Sequence, residues 1–171
     1  MRRVWRAFWA WYERHYTLNL AIATTLFLLQ VVHLLWLSTD VVAGRLLGRS
    51  LFDPDGPLQW LIVVIDYTEI PALIGVSLLY VNELRSAFSV RSAVFLAFLN
   101  SQWLHILWIT DEFVVASFTG DAAIAMPAWL AWLAIAIDYL ELPVMVDTVV
   151  KLVGRLRAGS LSATLEPAHD D

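Results

Sequence analysis

Four long apolar windows, at about 17–41, 57–82, 92–116 and 127–153, alternate with short stretches that carry most of the charge. Each reaches the roughly 20 residues that a helix needs to cross a bilayer core. Lipid offers the backbone no hydrogen-bond partners, so each window is expected to be helical, with Pro71 and Pro143 as local kinks. Ahead of the first window, Trp5, Phe8, Trp9, Tyr12 and Tyr16 recur at helical spacing, while Arg2, Arg3, Arg6, Glu13 and Arg14 take other faces. This predicts an interfacial amphipathic helix over residues 1–16, with His15 an ordinary interfacial side chain. The Ser, Ala, Pro and Asp content of residues 159–171 predicts a disordered tail.

The polar positions inside the windows repeat. A shift of 72 residues carries Gln30 onto Gln102, His33 onto His105, Trp36 onto Trp108 and Asp40 onto another carboxylate, Glu112. The same shift carries Trp60 onto Trp132, Asp66 onto Asp138, Tyr67 onto Tyr139, Glu69 onto Glu141 and Pro71 onto Pro143. Apolar matches between membrane helices arise by chance, but matched Gln, His, Asp and Glu do not. The expected fold is therefore all-α: an integral membrane four-helix bundle of two tandem two-helix repeats, residues 17–82 and 92–153. A two-helix unit crosses the membrane twice, so the copies share an orientation and relate by a pseudo-two-fold axis along the membrane normal.

Composition supports lipid as the solvent. The chain is 60% hydrophobic and 16% charged, with a mean hydropathy of +0.67, a balance that does not suit a soluble surface. The absence of cysteine excludes disulfides and thiolate metal sites, so metal ligands must be His, Asp or Glu. No basic stripe of the nucleic-acid-binding kind is present, and no nucleic acid partner is expected. Of the Lys and Arg residues, nine fall on the side of the termini and two, Arg45 and Arg49, on the other. Both termini are therefore expected to be cytoplasmic, in a bacterial inner membrane or its equivalent. The first window is too long for a signal-peptide core and runs straight into His33 and Asp40.

Depth brings the repeated residues together. At about 1.5 Å per residue, His33 lies roughly 12 Å, Asp66 roughly 13 Å and Glu69 roughly 18 Å below the outer ends of their windows. One layer would collect His33, Asp66, Glu69, His105, Asp138 and Glu141, with Asp40 and Glu112 above it near the outer mouth. Four charged carboxylates at that depth cost on the order of 10 kcal/mol, as much as a domain's whole stability. No Lys or Arg is present in the layer to offset it. Two divalent ions would balance four carboxylates and two neutral imidazoles, which points to a site for two iron, manganese or zinc ions. The ligand chemistry resembles that of soluble di-iron carboxylate bundles. Those, however, carry Glu-x-x-His on single helices, whereas here His and Asp-x-x-Glu lie on different ones. Gln30 and Gln102 are expected to orient ligands, and Tyr67 and Tyr139 to pack between helices, with a cross-helix hydrogen bond or proton donation as the alternative.

Two classes of function follow. One is a membrane metalloenzyme, an oxidoreductase or a hydrolase acting on a lipid-soluble substrate. The other is a metal or proton transporter or an accessory subunit of a membrane complex, with Asp147 marking an exit. A protonated polar network without metal is the structural rival, and a haem held by His33 and His105 is a further one. No Ser/His/Asp set, phosphate loop, Rossmann fingerprint or HExxH motif is present.

Overall fold

The computed structural model describes residues 2–121, 123–124 and 127–165, without the side chains at 112, 113, 128 and 160–165. The described residues are helical with no strand. Helix α1 spans Arg2–Arg14 and α2 Tyr16–Trp36; a π-helical stretch, Leu37–Val42, leads into α3, Ala43–Leu47. Helix α4 is Gly56–Tyr67, α5 Glu69–Ser86 and α6 Val90–Ile109; a second π-helical stretch, Thr110–Val115, leads into α7, Ala116–Thr119. Helix α8 is Ala128–Tyr139 and α9 Glu141–Leu165. Residues 159–165, expected to be disordered, thus continue the last helix, and 166–171 lie outside the described residues.

Among the described residues, three stretches are long and apolar enough to cross a membrane: Tyr16–Leu47, Gly56–Ser86 and Val90–Ile109, with mean hydropathies of 2.0, 1.8 and 1.3. Their burial pattern is the reverse of a soluble protein's. On α2 the buried set includes Ala23, Phe27, Gln30, His33 and Leu34, at helical spacing, while Leu18, Ile22, Val32 and Leu35 are exposed. On α4 Val64 points outward while Asp66 is buried. Polar inside and apolar outside is favourable only where the surrounding solvent is hydrocarbon.

Helix α2 packs most extensively on α5 and also meets α4 and α9, while α6 meets α5, α8 and α9. The core between them holds Phe27, Leu73, Val76, Leu99 and Val144. The prolines act as expected on the turn before them: the breaks fall at Thr68 and Leu140, three residues ahead of Pro71 and Pro143. A proline lacks the N–H for the carbonyl four residues back and its ring crowds that turn. Gly48 and Gly120, at φ of 69° and 87°, end α3 and α7 in the left-handed conformation that costs glycine least.

Helix α1 lies on the others through Trp9 and Tyr12, both buried. Arg85 stacks 4.0 Å over the Trp9 ring and reaches Glu13 at 4.0 Å. Burial, aided by Tyr16 and Glu83, pushes the Tyr12 phenol up to about 12, so it stays neutral beneath the helix.

Gly75 sets the closest approach of α2 and α5, because a Cβ there would stand 3.1 Å from the Ala23 Cβ. Gly75→Leu is expected to lower thermal stability in detergent by about 1–3 kcal/mol through overpacking. Gly75→Ala, which asks Ala23 to move by a few tenths of an ångström, should cost less; equal melting of the two variants would refute the close contact.

Candidate metal centre

The residues that assemble the centre come from six helices. His33 sits three residues before the end of α2, and His105 four before the end of α6. Asp66 and Asp138 each occupy the last turn of a helix, α4 and α8, just before the proline-induced breaks. Glu69 and Glu141 are the first residues after those breaks. All six are buried, with exposures between 1% and 4%.

Geometry divides the six. His33 Nδ1 lies against Asp66 Oδ1, and its Nε2 lies 3.7 Å from Asp138 Oδ2. His105 Nδ1 lies 3.0 Å from Asp138 Oδ1. The two imidazole centroids are 5.0 Å apart at an interplanar angle of 64°. Glu69 and Glu141, by contrast, lie within hydrogen-bonding reach of one another. The four-residue His/Asp cluster and the glutamate pair are thus neighbours with different immediate partners.

These close approaches are not aligned hydrogen bonds. All eight side-chain N and O atoms of His33, Asp66, His105 and Asp138 are buried without a hydrogen-bond partner of good geometry. A buried polar group left in that state costs about 1–3 kcal/mol. Few clusters in a folded protein carry so many such atoms, and each calls for an explanation. His33, Asp66 and His105 each offer a ligand atom, all within 4.8 Å of one another, so this cluster could hold a metal ion. Ligands on a tetrahedral zinc are roughly 3.3 Å apart, so small rotamer adjustments would close the set. The Lys and Arg ion pairs described in the structure run instead to Glu13, Glu83 and Asp147.

Both nitrogens of His33 face carboxylates, from Asp66 and Asp138.

The surrounding glutamines and tyrosines bond the turns and helix interfaces that carry the ligands. Gln30 Nε2 donates to the Ile65 carbonyl at 3.2 Å and to Thr68 Oγ1 at 3.1 Å. Gln102 Nε2 donates to the Ile137 carbonyl at 2.8 Å. Each glutamine therefore grips the carbonyl immediately before a site aspartate, fixing the broken turn and not the imidazoles. Tyr67 Oη lies 2.8 Å from Thr110 Oγ1, and Tyr139 Oη 2.7 Å from Ser38 Oγ, so both tyrosines bond across a helix interface. Asp40 stands apart from the layer and accepts from Trp36 Nε1 at 3.0 Å. The side chain of Glu112 lies outside the described residues.

Several contributors were not read from the sequence. Trp36 and Trp108 each stand 5.7 Å, ring to ring, from His33 and His105. Ser38 and Thr110, hydroxyl residues 72 apart, would have surfaced had the repeat been searched for hydroxyls as well as charges. Asp111, next to Glu112, is buried and accepts from the backbone N–H of Ala123 at 3.1 Å and of Ile124 at 2.9 Å. It therefore serves the loop after α7. Comparisons with known protein families, with curated proteins and with solved structures find no match.

Proposed function

We propose that the chain is an integral membrane metalloprotein whose helices enclose a divalent-metal centre held by His33, Asp66, His105 and Asp138. The observation that carries this reading is the buried His/Asp cluster with no aligned hydrogen bonds among its eight polar atoms. Iron, manganese and zinc all suit imidazole with carboxylate. Glu69 and Glu141 are the ligands that a second ion would recruit.

In this reading α8 and α9 form the fourth span of a bundle of two tandem two-helix units. Support comes from contacts that recur 72 residues on: His33 with Asp66 and His105 with Asp138, Gln30 with Ile65 and Gln102 with Ile137. The end of the helices that carries Arg85, Arg91, Lys151 and Arg155 faces the cytoplasm, as do both termini.

A resident metal fits better than a conducted one. Between the centre and the arginine-rich end, Phe27, Leu73, Val76, Leu99 and Val144 are at most 1% exposed. Such a centre suits an oxidation or hydrolysis of a lipid-soluble substrate. An apolar groove of about 100 Å³, lined by Leu104, Leu107, Trp108, Leu133 and Ile137 among others, offers lateral approach beside His105 and Asp138.

Elemental analysis of chain purified without chelator tests the reading. One metal per chain is expected from the His/Asp cluster and two if the glutamates also bind. The metal should vanish in His33→Ala/His105→Ala, and metal-free wild type would leave a protonated polar network as the better account. Removing the metal with chelator should also lower the melting temperature, because an ion at a hundredfold over its Kd stabilises by about 2.7 kcal/mol.

A further inference from the structure

The two ends of the metal layer are closed differently. Toward the arginine-rich end stands the apolar plug of Phe27, Leu73, Val76, Leu99 and Val144. At the other end α2 and α6 both leave α-helical geometry about a turn beyond their histidines, at Leu37–Val42 and Thr110–Val115. Such π-helical turns are uncommon and occur often at functional sites.

Each π-helical stretch carries half of a reciprocal latch. Ser38 Oγ meets Tyr139 Oη at 2.7 Å, and Thr110 Oγ1 meets Tyr67 Oη at 2.8 Å. The tyrosines directly follow the site aspartates, so each bond ties one aspartate-bearing helix to the histidine helix on which the other aspartate's partner sits. Beneath the latches, Trp36 and Trp108 lie against the imidazoles, and Trp36 is held by the carboxylate of Asp40. All four latch residues are half-buried, whereas the plug is fully buried. Opening this end breaks two exchangeable hydrogen bonds and displaces the buried Trp36 and Trp108, while the other end offers no polar tie among its plug residues to release.

Resting on the metal reading above, we infer that the ion reaches the centre from the π-helical end, past two indoles held shut by the two tyrosine–hydroxyl latches. The latches act on the rate of loading and not on the number of ions held.

Co²⁺ binding to the purified full-length chain, followed in time by its visible ligand-field absorption, tests this. Tyr67→Phe/Tyr139→Phe should load on the order of tenfold faster than wild type, as expected for two lost hydrogen bonds, and reach the same final absorbance. Ser38→Ala/Thr110→Val, which removes the partners instead, should do the same. Arg91→Ala, at the opposite end, should load at the wild-type rate. Latch variants that load at the wild-type rate, or that lose final absorbance, would overturn the gate, as would equal acceleration by Arg91→Ala. Wild type that never develops the absorption would instead overturn the metal reading itself.

Discussion

Asp138→Asn is expected to lower metal affinity by about a thousandfold or more, the largest effect of any single change at the centre. Asp138 faces both histidines, His33 at 3.7 Å and His105 at 3.0 Å. Its loss removes a ligand charge and also leaves two imidazoles buried without their shared acceptor. Outer residues that only orient ligands typically cost ten- to a hundredfold. Gln102→Ala should fall in that lower range, because its amide touches the Ile137 carbonyl and no ligand. Glu69→Gln separates the one-ion and two-ion arrangements: it should leave the affinity of the first ion within about tenfold, because Glu69 pairs with Glu141 and lies outside the set of His33, Asp66 and His105. Competition titration against a chelator of known affinity measures all three. Equal losses for Asp138→Asn and Gln102→Ala would mean that the aspartate orients and does not ligate.

Much of this centre could be read from the chain because repetition and depth are both linear properties. A constant offset of 72 residues picks out His33, Asp66, Glu69 and their counterparts, and the rise per residue places them in one layer. Which of them touch is not linear. His and Asp meet because Pro71 and Pro143 break the helices at Thr68 and Leu140, turning Asp66 and Glu69 onto different partners although their spacing puts them on one helical face. Gln30 and Gln102 reach the carbonyls of Ile65 and Ile137 in these broken turns, a pairing that residue identity alone does not announce. The π-helical stretches were hidden for a related reason. Their extra residue per turn is imposed by packing at the ends of α2 and α6, and LSTDVV and TDEFVV read as ordinary helix.

Asp147→Ala is expected to destabilise the fold by about 3 kcal/mol, the largest stability effect of any substitution away from the centre. Its place in an apolar stretch of α9, with Gly75 as its counterpart in the first half, suggests an exit for ions. The structure gives it a different task. The carboxylate is buried at 6% side-chain exposure and receives Arg91 at 2.6 Å, Lys151 at 2.7 Å and the Tyr80 hydroxyl at 2.8 Å. It thereby ties the start of α6 and the end of α5 to α9. Lys151 continues the network to Glu83 at 2.6 Å, which in turn accepts from Ser92 at 2.8 Å. Removing the hub leaves the fully buried Tyr80 hydroxyl without its acceptor and a partly buried ammonium with one partner fewer. Arg91 is 68% exposed, so its arm of the network is screened by water, and Arg91→Ala should cost no more than about 1 kcal/mol. Tyr80→Phe should fall between the two, near 1–2 kcal/mol, since it removes the hydroxyl together with its demand for a partner. Thermal unfolding in one detergent at one protein concentration ranks the three. If Arg91→Ala proved as damaging as Asp147→Ala, the network would be an exposed ion pair and not a buried knot, and the arginine-rich end would have to be held shut by the apolar plug alone.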